Sequence, residues 1–324
     1  MKPSKSEPHL IPTTGMSAQN IATSFDQMSA NDVQWRDGKA FSLAYNAGPE
    51  VLAVAEDAYR RFSGANALNT AAFPSLRQMQ SEVIEMAGVW LGSSTEAAGY
   101  FTSGGTESIL MTVKAARDQF RSESSISHPN IVLPTSAHAA FDKAAAYFGV
   151  ELRRVAVLPN WRADVEAMAH FIDKNTIMIV GSAPQYPQGV IDDIPALASL
   201  ALQRSINCHV DACMGGVSLA YLSRLGHQIP PWNLQVDGVT SISVDLHKFG
   251  YTSKGASVIM YASKRLRSYQ GFITDQWLGG VYASSGMLGT KSGGSIAAAW
   301  AVMHFLGDDG YLRLTRSARI ATDK

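Results

Sequence analysis

The chain has 324 residues, 46% of them hydrophobic, enough apolar material for a large buried core. Its 27 basic and 27 acidic residues balance and no polybasic run occurs, which argues against a nucleic-acid footprint. Two cysteines, Cys208 and Cys213, argue against a disulfide framework, and MKPSKSEPHLIPTTG lacks the apolar stretch of a signal peptide, so the sequence reads as cytoplasmic with no transmembrane segment.

Residues 1–16, rich in Pro, Ser and Thr, suggest an extended arm. Ser17 is a good N-cap for a helix to about Ser29. Pro49 opens a second helix, with Val51, Leu52, Ala55, Tyr59 and Phe62 on one face, and a third runs from Ser75 towards Trp90. From about residue 98 short apolar runs alternate with helical patterns. The expected strands are GYFT, NIVLPT, LRRVAVL, TIMIVGS, NCHVDA, GVTSISVD and ASVIMYA. This alternation predicts an α/β fold with a mainly parallel seven-stranded sheet between helices. LHKFGYTSKG is too short for a helical crossover, so one strand should be antiparallel. A last helical pattern is expected after Trp300, at GYLRLTRSARIATDK. The expected division is an arm and helix over 1–48, a large domain over 49–305, and the start of a further, truncated domain over 306–324.

Four groups fall where strands end, the usual place for ligands in open α/β sheets. FTSGGTESIL places Gly104 and Gly105 before a helix whose free N–H groups suit an anion, with Thr106 adding a hydroxyl. It matches neither nucleotide fingerprint, and a plain glycine turn explains the same letters. NCHVDACMGG carries Asp211 at a strand end. Strand alternation puts Cys208 and Cys213 on opposite faces, so no metal is expected there. A buried Asp211 needs a cationic partner or strong donors. His138 begins a helix, where a histidine is more often a cap or a surface residue. Lys248 follows a strand with apolar residues at 242, 244 and 246, with His247 beside it and Lys254 six positions on.

Together these groups fit pyridoxal 5′-phosphate, which needs a lysine for its imine, an acid at its ring nitrogen, an anion cradle and an aromatic cover. Burial of Lys248 is expected to favour its neutral amine.

TSGGTESI, SAHAAFDKAAAYFG, GSAPQYPQGVIDDIP, HVDACMGG, the Asp-x-His-Lys segment and GGVYAS resemble the sphingosine-1-phosphate lyases within the wider pyridoxal-phosphate decarboxylases. DVQWRDGK and FPSLRQMQSEV extend the likeness upstream. The resemblance implies the large domain of a fold-type I enzyme and a homodimer with its site between subunits. Lys248 would carry the cofactor, Asp211 would meet its ring nitrogen, and His138 would stack on the ring. Gly104, Gly105, Thr106 and His247 would lie near its phosphate, while Gly289 and Thr290 would reach the neighbouring subunit's cofactor. Tyr45, Asn66, Tyr186 and Lys254 would line the substrate pocket, with Tyr186 and Lys254 moving protons. Asn69 stands where the family has a histidine, and Lys291 where it has an arginine.

The implied reaction is retro-aldol cleavage of a phosphorylated sphingoid base to a long-chain aldehyde and phosphoethanolamine. The alternatives are decarboxylation of an amino acid, and an inactive remnant that binds cofactor or serves in dimerisation.

Overall fold

A computed structural model describes residues 11–40, 42–124 and 126–324. Most of the arm expected over 1–16 lies outside the described residues. The chain falls into two compact units, one up to Asn46 and the other Ala47–Lys324.

In the first unit, α1 (Ala18–Ser29) starts as its sequence predicts: the Asn20 N–H donates to Ser17 Oγ at 3.1 Å. Such a cap contributes about 1 kcal/mol. No residue of α1 is buried, and Ile21, Phe25 and Met28 form an exposed stripe.

The second unit begins with α2 (Pro49–Phe62) and α3 (Pro74–Trp90), each opened by a proline whose missing N–H costs nothing in the first turn. The alternating region follows as β1 (Ala98–Thr102), α4 (Gly105–Glu123), β2 (Asn130–Pro134), α5 (Ala140–Phe148), β3 (Glu151–Val155), α6 (Val165–His170), β4 (Thr176–Ser182), α7 (Ile194–Arg204), β5 (Asn207–Asp211), α8 (Gly216–Arg224), β6 (Ser241–Asp245) and β7 (Ser257–Tyr261). A short α9 (Lys264–Ser268), a hairpin of β8 (Phe272–Thr274) and β9 (Tyr282–Ser284), and α10 (Gly294–Thr322) complete the unit.

All seven expected strands are present and form one sheet in the order β1-β7-β6-β5-β4-β2-β3. β7 runs antiparallel to both β1 and β6, and the other pairings are parallel. The carboxyl ends of β1, β5 and β6 therefore share one edge with the start of β7.

Strand alternation sorts side chains onto two faces. Val132, Ile179, Cys208, Val210, Ile242, Val244, Val258 and Met260 join the core formed with α2, α3, α7, α8 and α10. Ile131, Leu133, Met178 and Val180 pack on the other face with α4 and α5. Towards the centre that second face turns polar. His209, Asp211, Ser241, Ser243, Asp245 and Ser257 are all buried there. They are tied together by Ser108 to Ser257 at 3.0 Å, Thr112 to Ser241 at 2.8 Å and His209 Nδ1 to Ser241 at 2.9 Å. Buried polar groups need such partners. This alternation aims both carboxylates towards the start of α4.

Several elements differ from expectation, among them α9, β8 and β9, for which no element was expected. α8 was not expected, since GVSLAYLSR opens on glycines with no polar cap. α10 begins at Gly294, well before the pattern expected after Trp300. Its first half buries Ile296, Ala297, Ala298, Ala299, Val302 and Met303, leaving little polar face to show a helical period. The helix breaks at Gly307 (φ 53°, ψ −172°) and continues, with Tyr311 buried against Tyr221 at a ring separation of 5.3 Å. Among the described residues no helix is long and apolar enough to cross a membrane.

Candidate active site

A cavity of about 450 Å³ opens at the shared strand edge. Gly104, Gly105, Thr106, His138, Tyr186, Asp211, His247, Lys248 and Lys254 all line it, together with Asp245, Cys213 and Glu107. Three sequence-distant segments thus meet as strand order brings β1, β5 and β6 close.

The start of α4 is built for an anion. Gly104 is its N-cap and supplies no side chain to satisfy the first-turn N–H groups. Gly105 permits close approach of its neighbours: a Cβ there would sit 2.8 Å from Cys213 Sγ and 2.9 Å from each Asp245 carboxylate oxygen. Glu107, buried one turn in, accepts N–H groups from Ser103 (2.6 Å) and Met287 (2.9 Å), which ties the 286–290 loop to α4. Glu107 was not anticipated.

Asp211 is buried at the end of β5 and accepts the Cys213 N–H at 3.0 Å. Burial raises its pKa, and Asp245 adds to the rise. This carboxylate gains from any cation brought to it. The cysteines lie as alternation requires: Cys208 is in the opposite core and Cys213 is at the cavity, bonded through Sγ to Ser243 at 3.2 Å. His138, two residues before α5, accepts the Ala140 N–H on Nδ1 at 3.0 Å and also lines the cavity.

Lys248 stands in a tight turn rather than a helix. Tyr251 N–H donates to Lys248 O at 2.9 Å and Tyr311 Oη donates to Gly250 O at 3.0 Å. Only glycine fits at 250, where a Cβ would meet Leu246 O at 2.3 Å. One expectation fails here. Burial does pull the Lys248 ammonium down, but Asp245, Cys213 and Asp211 outweigh it and the pKa is raised. The reason is an ion pair of 2.9 Å between Lys248 Nζ and Asp245 Oδ2. Asp245 is 3% exposed, and its Oδ1 has no partner within the described chain. It was overlooked in the sequence although it sits three residues before the lysine. His247 is lowered by burial, with Nδ1 donating to Ala256 O at 2.7 Å. Lys254 is lowered by burial and by Lys248, and its Nζ donates to His247 O at 3.4 Å.

A second cavity of about 180 Å³ shares Ser103, Lys254 and Gly255 with the first and is also lined by Lys291. Lys291 Nζ bonds Tyr100 Oη at 2.8 Å and lies 4.6 Å above that ring. Asn66, Asn69, Gly289 and Thr290 line neither cavity. Asn66 bridges Ser292 and accepts the Leu68 N–H, Asn69 accepts the Ala71 and Ala72 N–H groups, and Gly289 and Thr290 lie in the loop before α10. Tyr45 belongs to the first unit.

The pyridoxal-dependent decarboxylase conserved domain matches residues 3–319. A sphingosine-1-phosphate lyase structure from Burkholderia pseudomallei K96243 superposes with a TM-score of 0.92 at 37% identity, covering 96% of this chain and 73% of that one. The chain belongs to the pyridoxal-dependent decarboxylase family, among the sphingosine-1-phosphate lyases. Sphingosine-1-phosphate lyase 1 of Rattus norvegicus is 44% identical over 307 residues, covering 94% of this family member and 54% of the rat protein. The Drosophila melanogaster lyase is 40% identical over 319 residues, or 96% and 58%. The chain thus spans little more than half the length of these curated relatives. Lactobacillus brevis glutamate decarboxylase, at a TM-score of 0.80 and 18% identity over 96% of this chain and 72% of that one, shares the fold.

Membership makes pyridoxal 5′-phosphate the cofactor, and the residues fit it. There is a lysine at the cavity wall, a buried carboxylate with one N–H donor, and a helix start that a single Cβ would obstruct.

Proposed function

We propose that this chain carries the site of a pyridoxal-phosphate-dependent carbon–carbon lyase, which cleaves a phosphorylated sphingoid base into a long-chain aldehyde and phosphoethanolamine. The observation that carries the reading is the meeting of Lys248, Asp211 and the open start of α4 in one cavity, in a chain 37% identical to a solved lyase.

When bound, the cofactor's protonated ring takes up the electron pair released as a bond to the amine-bearing carbon breaks. Lys248 holds the cofactor. Asp211, disfavoured as a lone buried anion, regains its charge against the ring N–H and keeps that nitrogen protonated. Gly104, Gly105, Thr106 and His247 surround the phosphate, and His138 covers the ring. Lys254, lowered in pKa at the cavity wall, takes the proton from the substrate hydroxyl, and Tyr186 is its partner in proton transfer.

The second cavity, between Lys254 and Lys291, takes the substrate phosphate, with Asn66 acting on it only through its bridge to Ser292 and Asn69 on the same segment as Asn66. The chain acts in the cytoplasm as a homodimer, with Gly289 and Thr290 reaching the neighbouring cofactor. Exposed Trp277, Leu278 and Val281 between β8 and β9 support such a partner surface. The division into an arm and helix over 1–48, a cofactor domain over 49–305 and the start of a further domain at 306 belongs to the same proposal.

The test is the visible spectrum of the purified chain with added pyridoxal phosphate. A band that borohydride bleaches should form, and Lys248→Ala should abolish it. An equal band in the variant would remove Lys248 from the site.

A further inference from the structure

Asp245 takes no part in the contacts proposed above, yet it is the ion-pair partner of Lys248. We infer that Asp245 is a positioning residue that holds Lys248 as an ammonium until the cofactor arrives, so that cofactor capture is gated by pH; this rests on Lys248 being the cofactor lysine.

The pair is built into one turn, i and i+3, with Oδ2 and Nζ 2.9 Å apart. The carboxylate is 3% exposed and lies against Gly105, where a Cβ would be 2.9 Å from both of its oxygens, so it cannot swing towards α4. Tyr311 pins the turn at Gly250, at 3.0 Å. At the cavity wall, where Lys248 is only partly desolvated at 22% exposed, an opposite charge at contact distance favours the ammonium.

The other groups facing the pair divide. Asp211 and Cys213, at the end of β5, favour the ammonium, whereas Lys254, on the same connection as Lys248, is a like charge whose own pKa Lys248 lowers, as it does that of His247. Glu107 on α4 is engaged by two N–H groups, and His138 and Tyr186 line the remaining walls. Removing Asp245 takes away the ion-pair partner and leaves burial opposed only by Cys213 and Asp211, which favours the amine relative to the parent chain.

Only the amine has the lone pair that bonds a carbonyl carbon. Its condensation with an aldehyde releases one water, and starting from an ammonium it also releases one proton, which leaves through Asp245 Oδ2 or directly to solvent. Capture should therefore quicken as pH rises, because the pKa of Lys248 is raised in the folded chain.

The experiment is competitive acetylation of the cofactor-free chain by acetic anhydride across a pH series, with Lys248 read by mass spectrometry. Asp245→Asn should move the labelling midpoint to lower pH and speed labelling of Lys248 at neutral pH roughly tenfold or more. Added pyridoxal phosphate should then form its visible band faster by a similar factor. Lys254→Gln should shift the midpoint the other way. Asp245→Ser, neutral and smaller, gives the same reading if the Asn variant does not fold. Labelling profiles unchanged in the Asp245 variants would overturn the inference, even if the band forms normally. Shifted profiles with no band in any chain would instead sink the cofactor role of Lys248 while leaving Asp245 as the holder of its proton.

Discussion

His209 shows how tightly the polar layer behind the site is specified. It is fully buried, bonded to Ser241 at 2.9 Å and near Ser243 at 3.4 Å, with Phe141 edge-on at 6.0 Å. Burial pushes its pKa down to about 3. The unfolded chain, with an imidazole near the usual ~6.5, binds one more proton than the folded chain between those values. Stability is thus intact above the unfolded pKa and falls as the pH drops through that window, by about 1.4 kcal/mol per unit. His209→Asn should remove that slope in denaturant titrations run between pH 6 and 4. An unchanged slope would mean that His209 is already charged in the folded state. Lys248 shows the opposite case at the same scale, since a neighbouring carboxylate, rather than burial, decides its proton.

Helix α4 organises the site at the level of elements, because its start faces β5 and β6 and its first turn also holds the 286–290 loop through Glu107. Gly105→Ala should therefore act on the cofactor more than on the fold. The added methyl must displace Cys213 Sγ or Asp245, at 2.8 and 2.9 Å, a strain of about 1–3 kcal/mol. Half-saturation of the visible band should need at least ten times more pyridoxal phosphate, and an unchanged titration would show that the start of α4 does not bear the phosphate.

Much of this was legible in the sequence. SISVD and NCHVD alternate so regularly that the faces of Asp211 and Cys208 follow from the strand period alone. Ser17 and Pro49 mark helix starts that the structure reproduces within a residue, and the third helix, expected from Ser75, begins at Pro74. Asp245 was harder to single out. Its partnership with Lys248 depends on a tight turn held by Tyr311, and its contact with Gly105 depends on β6 and β1 sharing one edge. The first half of α10 was illegible for another reason, because a helix buried on nearly every side carries no amphipathic period.

On the scale of the whole molecule, a sheet with an apolar face towards α2, α3 and α10 and a polar centre beneath α4 separates stability from chemistry. Identity to lyases of 37–44% and a TM-score of 0.92 to one of them set the family. A 32% identical L-aspartate/L-glutamate decarboxylase of Pyrococcus horikoshii, of which this chain covers 78%, shows how near the other chemistry lies. The two differ in which bond to the amine-bearing carbon breaks. The deciding measurement is a product assay of the cofactor-loaded chain, given a phosphorylated sphingoid base in one arm and aspartate or glutamate in the other. A carbon–carbon lyase will release long-chain aldehyde and phosphoethanolamine in equal amounts and no carbon dioxide from the amino acids. Carbon dioxide without aldehyde would contradict the proposed function and make the chain a decarboxylase.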